Sequence, residues 1–158
     1  MKRLVLTIAI LIGLAAPAWA GFAEGIAAHL RGDYATALRE FRPLAEQGDA
    51  AAQYNLGLMY DEGQGVPQDY AEAVRWYRKA AEQGDDNAQY SLGAMYLSGR
   101  GVPQDYVRAH MWFNLSAARG HELAASLRTF IAKKMMARGQ EAEAQRLARK
   151  WKPKKERP

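Results

Sequence analysis

The chain has 158 residues, 49% of them hydrophobic and 25% charged, with a formal net charge of +5. This balance is ordinary for a folded domain and excludes both a disordered polyelectrolyte and a multi-span membrane protein. There is no cysteine, which excludes thiolate catalysis, iron–sulfur clusters, cysteine zinc sites and disulfide stapling, so the core has to be held by packing.

Lys2 and Arg3 open the chain, Leu4 to Leu14 is apolar apart from Thr7 and Gly13, and Ala18-Trp19-Ala20 is a small-x-small triplet. This is the pattern of a secretory signal peptide over residues 1–20, cleaved after Ala20, and it predicts a periplasmic or secreted protein with no membrane span after cleavage. The charge is unevenly placed. From Arg128 to the end, eleven Lys or Arg face three Glu, a net of +8, which leaves −5 on Gly21 to Leu127.

Self-comparison shows a repeat of 36 residues. Ala52-Gln53-Tyr54-Asn55-Leu56-Gly57 returns as Ala88-Gln89-Tyr90-Ser91-Leu92-Gly93, and Gly65-Val66-Pro67-Gln68-Asp69-Tyr70 returns unchanged from Gly101 to Tyr106. Such a period is the mark of a solenoid. Ala52, Leu56 and Tyr60 share one helical face, as do Ala88, Leu92 and Tyr96; Tyr70, Ala73, Tyr77 and Ala80 form a second stripe, repeated by Tyr106, Ala109 and Phe113. Each unit therefore predicts a first helix, a breaker loop with Gly63, Gly65 and Pro67 or their equivalents, and a second helix capped by Asp69 or Asp105. Glu72 predicts a capping box with Asp69, and Gly48, Gly84 and Gly120 predict helix closures. Gly57 and Gly93 fall inside the first helix, where glycine costs about 1 kcal/mol relative to alanine. Close approach of Tyr77 and Phe113 is the expected reason.

The whole chain divides accordingly: a shortened first repeat at 21–47 with the stripe Ala37, Phe41 and Leu44, full repeats at 48–83 and 84–119, and C-terminal capping helices at 120–151. The caps carry Leu123, Leu127, Ile131 and Met135, then Ala144, Leu147, Ala148 and Trp151. Residues 152–158 form a basic tail interrupted by Pro153 and Pro158, expected to be disordered and suited to an anionic surface. The fold class predicted is all-α, a solenoid of antiparallel helix pairs.

Catalytic chemistry finds no foothold. His29, His110 and His121 lack metal-ligand spacing and suit surface or cap roles, so no metal or other cofactor is expected. Asp61-Glu62 and Asp85-Asp86 sit at helix ends with nothing apolar nearby to raise a carboxyl pKa, and no serine has a nucleophile-elbow context. Most aromatic residues lie on the inward stripes; Tyr54 and Tyr90 do not. Asn55, Leu58 and Glu62 lie roughly opposite the buried stripe, and Ser91, Ala94 and Ser98 lie so one unit later. Together with the two tyrosines they make a candidate partner-binding face.

The residues from Ala52 to Gly84 and from Ala88 to Gly120 follow A-x-x-x-L-G-x-x-Y, G-x-G-V-P-x-D-Y and A-x-x-W-[YF], and so resemble the Sel1-like repeat family. Gly25 to Gly48 is more similar to a plain tetratricopeptide repeat, and the ending from Met111 to Trp151 is similar to that of many bacterial members. Ala137-Arg138-Gly139 departs from the threonine-proline helix start common there. The resemblance implies a scaffold for protein contacts without catalytic residues. Exported relatives that bind or hydrolyse β-lactams are cysteine-rich, unlike this chain. The expected function is a non-enzymatic adaptor whose concave face takes a protein or peptide of the bacterial envelope, with no nucleic-acid role. A cell-wall glycan binder or hydrolase is the alternative.

Overall fold

The computed structural model describes residues 18–137 and 139–154. Most of the leader read from the sequence therefore lies outside the described residues. Eight helices account for them: α1 Ala18–Leu30, α2 Tyr34–Gln47, α3 Ala50–Glu62, α4 Tyr70–Gln83, α5 Asp86–Ser98, α6 Tyr106–Ala117, α7 Glu122–Lys134 and α8 Gln140–Lys150. No strand occurs among the described residues, and the fold is an all-α solenoid. Each of α1, α3 and α5 packs on its own following helix, and α2, α4 and α6 pack on the first helix of the next unit.

Helix boundaries follow from local chemistry. The carboxylates of Asp33, Asp49, Asp69, Asp85 and Asp105 each accept a backbone N–H from the first turn of the helix that follows. Asp69 takes two, from Ala71 and Glu72 at 2.9 and 3.0 Å. The capping box does not form. Glu72 turns away to pair with Arg75, and the Asp69 N–H donates instead to the Tyr60 carbonyl at 2.9 Å. Asp105 repeats that bond to Tyr96, so the loop ahead of each second helix is tied to the helix it leaves. Asp69→Ala should cost about 1 kcal/mol, read as a lower urea midpoint with unchanged slope; an unaltered midpoint would mean that the backbone tie alone holds α4.

Within each pair, a ring from the second helix lies on a glycine of the first: Phe41 on Gly25, Tyr77 on Gly57 and Phe113 on Gly93. All three rings are completely buried, and burial of each removes from water a side chain worth about 1.5–3 kcal/mol. Between units, polar bonds recur with the same period. Arg42 donates to the Tyr60 hydroxyl and Arg78 to that of Tyr96, at 3.2 and 3.1 Å. The Gln53 and Gln89 amides donate to the Ala45 and Ala81 carbonyls.

The C-terminal pair breaks the pattern. Helix α8 packs on α6, the helix that α7 also covers. Of the α7 stripe Leu123, Leu127, Ile131 and Met135, only Ile131 is buried, and Leu123 is 62% exposed. On α8, Ala144 and Ala148 are buried, and Trp151 sets its ring edge-to-face on Trp112 at 6.3 Å. No side chain caps the start of α8, where the threonine-proline start is missing. The tail does not leave the body at once: the Lys154 N–H donates to the Glu82 carbonyl at 2.8 Å, and its ammonium pairs with the Glu82 carboxylate. Residues 155–158 lie outside the described residues.

Candidate partner-binding face

The candidate residues lie on α3 and α5. Tyr54, Asn55, Leu58, Tyr90, Ser91 and Ala94 are half-buried, whereas Glu62 and Ser98 are exposed. Both tyrosines are used for packing as well as display. The Tyr54 ring lies 5.9 Å from that of Tyr77; the Tyr90 ring lies 5.7 Å from Phe113 and stacks on His121 at 4.4 Å, inclined by 14°. Tyr54 stands beside Asp85, and Tyr90 beside His121, one period further on. The two rings thus bridge each first helix to the start of the next one.

Burial pushes the Tyr54 phenol pKa up, and the Asp85 charge adds to this. At the far end the sets diverge. Glu62 accepts from Gln64, whose carbonyl oxygen bonds the His29 ring at 2.7 Å. Ser98 donates to the Ala94 carbonyl and receives Arg100. Asn55 spends its amide N–H on the Ala51 carbonyl at 2.8 Å. What remains is a surface of mostly uncharged side chains, Glu62 excepted, with no nucleophile–base pair among the described residues.

Sequence reasoning read Asp61 only as a helix-end carboxylate and missed both its partners and Arg100. Asp61 accepts from the Tyr77 hydroxyl at 3.2 Å and pairs with Arg100 of the next unit at 3.8 Å. Burial, reinforced by the Asp61 charge, pushes the Tyr77 phenol far above its ordinary value. Asp61 has no period-mate, because Leu97 stands 36 residues on; that irregularity was the available signal. The expectation for Asp85 is corrected: burial raises its carboxyl pKa against the opposing N–H of Ala88. The histidines also divide. His121 accepts the Ala124 N–H and so caps α7, and His29 bridges to Gln64, but His110 is buried, only 2% exposed, and not at the surface.

Stacked helix pairs repeated at 36 residues define a helical-repeat solenoid. The model of the Sel1 repeat matches residues 50–85 and 86–121. The chain carries two Sel1 repeats and has the fold of Sel1-like repeat proteins. It is similar to the crystal structure of a protective antigen of uropathogenic Escherichia coli that displays an SLR fold, with 34% identity, a TM-score of 0.79, and coverage of 86% of this chain and 30% of that one. It is also similar to a Sel1 repeat protein from Oxalobacter formigenes, with 34% identity, a TM-score of 0.65, and coverage of 68% of this chain and 44% of the other. The chain thus spans less than half the length of either. Comparison with curated proteins returns no match. Sel1 repeats in general mediate protein–protein interaction, and the fold is typically a non-catalytic scaffold.

Proposed function

We propose that this protein is an exported, non-enzymatic adaptor of the bacterial envelope, binding a protein or extended peptide across the concave face that α3 and α5 present. The observation that carries this reading is compositional. Helices α1, α3 and α5 contain no Lys or Arg at all, and their acidic residues are Glu24, Asp61, Glu62 and Asp86. Helices without long flexible cations of their own let a peptide backbone approach closely and lose little side-chain entropy on binding, and Arg100 reaches the face at its Ser98 end. Asn55, Leu58, Ser91 and Ala94 supply acceptors and small apolar contacts at a repeated spacing, which suits an extended chain crossing the units. Tyr54 and Tyr90 weigh against the glycan-stacking alternative, since their rings already lie on Tyr77, Phe113 and His121. Export rests on the leader read at residues 1–20, and the basic residues beyond Trp151 supply a secondary contact with an anionic surface.

A photo-crosslinking amino acid at Asn55 tests the reading in cells. One discrete protein adduct is expected, and it should be lost on adding Leu58→Lys or Ser98→Lys, each with an unchanged helical circular dichroism spectrum. Absence of any adduct, or co-sedimentation with purified cell wall that is lost on Tyr54→Ala, would displace the adaptor in favour of glycan binding.

A further inference from the structure

A cleft of about 530 Å³ opens over α6 between α7 and α8, and its origin is visible in the repeat itself. Counting 36 residues on from α5, the packed Leu92 becomes Arg128, Gly93 becomes Thr129 and Tyr96 becomes Ala132. All three replacements line the cleft. Thr129 removes the flat seat that a ring of the following helix would need, and Ala132 removes the ring that fills the space in the two preceding units. The arginine that bonds that tyrosine, Arg42 and then Arg78, becomes Asn114, which now accepts from Arg128 at 2.8 Å. Helix α8 brings Glu141, Gln145 and Arg149 to the opposite wall. The place that is apolar core in two units is a polar opening in the third.

Arg128, Lys133 and Arg149 line it, and none of them is in an ion pair among the described residues. Glu141 is the one carboxylate on the wall, and it accepts from Gln145 at 3.1 Å. His110 also lines the cleft; it is 98% buried by its 2% exposure, and its Nδ1 has no hydrogen-bond partner among the described residues. Buried polar atoms in folded proteins are almost always paired with protein, water or ligand, so an orphan beside a polar cavity is a group that a bound molecule can satisfy. The volume is that of an ordinary small-molecule site, and uncompensated guanidinium groups favour carboxylate or phosphate oxygens.

We propose that this cleft binds a small organic anion, whose carboxylate or phosphate oxygens are held by Arg128 and Arg149, with His110 completing the floor. The site is separate from the α3 and α5 face, and neither reading depends on the other. Desolvation holds the His110 imidazole below its ordinary pKa; Glu141 on α8 opposes this and Arg128 on α7 adds to it. An anion seated between the arginines should raise it.

The test is titration of the purified protein with citrate and, separately, inorganic phosphate, at ionic strength held constant with sodium chloride, followed by calorimetry and by the His110 imidazole resonances. One equivalent of at least one probe should bind with a dissociation constant of about 1 mM or tighter, and the His110 pKa should move up. Saturation by citrate assigns the natural ligand to the carboxylates, and saturation by phosphate assigns it to phosphorylated compounds. Arg149→Gln removes an exposed side chain, and should weaken binding about tenfold or more with the fold intact. Arg128→Gln should do the same, read against circular dichroism because it also unpairs Asn114. Failure of both probes to bind, or binding that Arg149→Gln leaves unchanged, overturns the proposal.

Discussion

Gly93→Leu should lower the melting temperature by about 10 °C or more, and even Gly93→Ala should lower it, although alanine is the better helix former by about 1 kcal/mol. A Cβ at Gly93 would stand 2.9 Å from both Cδ1 and Cε1 of Phe113. Phe113 is completely buried and the side chains around it are close-packed, so its ring cannot swing aside. Overpacking of this kind costs about 1–3 kcal/mol for a small addition and more for a branched side chain. The clash therefore outweighs the propensity gain, and the sign reverses from that of an exposed helix. Phe113→Ala alone is also destabilising, because it empties the space over Gly93 by a loss of about 3–5 kcal/mol. The double variant Gly93→Ala, Phe113→Ala should lose less than the two single losses added, since the second methyl enters a vacated site. Additive losses, or a Gly93→Ala protein as stable as its parent, would break the argument.

This contact shows what made the fold legible. Gly57 and Tyr77 recur as Gly93 and Phe113 at a constant offset, and a costly residue repeated at one phase of a helical stripe needs a neighbour to explain it. The aspartates ahead of each helix were legible for the same reason: a cap acts within four residues, so its partner is in the local sequence. The misses share an opposite cause. Glu72 lost its capping role because the Asp69 N–H is taken by Tyr60, nine residues back across the loop. Leu123 and Met135 are exposed because an apolar stripe states only that a helix could bury one face, and α8 settled on α6 in place of covering α7. A helical wheel placed Tyr54 and Tyr90 off the buried stripe, yet it holds no information about the next repeat, where Asp85 and His121 meet those rings. The α7–α8 cleft could have been found by extending the offset past Gly120: Arg128, Thr129 and Ala132 at positions of leucine, glycine and tyrosine are a signal that the third pair is not packed like the others.

Gly101→Ala tests the joint between units, as Gly93 tests the joint within one. Gly101 has φ +68°, and a Cβ there would stand 2.2 Å from the carbonyl oxygen of Tyr70 and 2.5 Å from its carbon. These are backbone atoms at the start of α4, so no rotamer change relieves the overlap; either the loop lifts or the units part. Gly65 meets Tyr34 in the same manner one unit earlier, at 3.0 Å from both its Cβ and its carbonyl oxygen. Gly120 supplies the control, with φ +99° and nothing within 4 Å of the same added atom. Alanine at Gly120 should cost only the left-handed backbone penalty of about 1–2 kcal/mol. Alanine at Gly101 carries that penalty and the steric one, and should cost about 3 kcal/mol or more, roughly 6–12 °C in melting temperature. Because a solenoid is held by nearest-neighbour interfaces, loss of this joint should also split urea unfolding into two transitions, the first repeats separating from the rest. Equal losses at Gly101 and Gly120, with a single transition in both, would mean that the loop does not bear on α4 and that the units are coupled only through their helices.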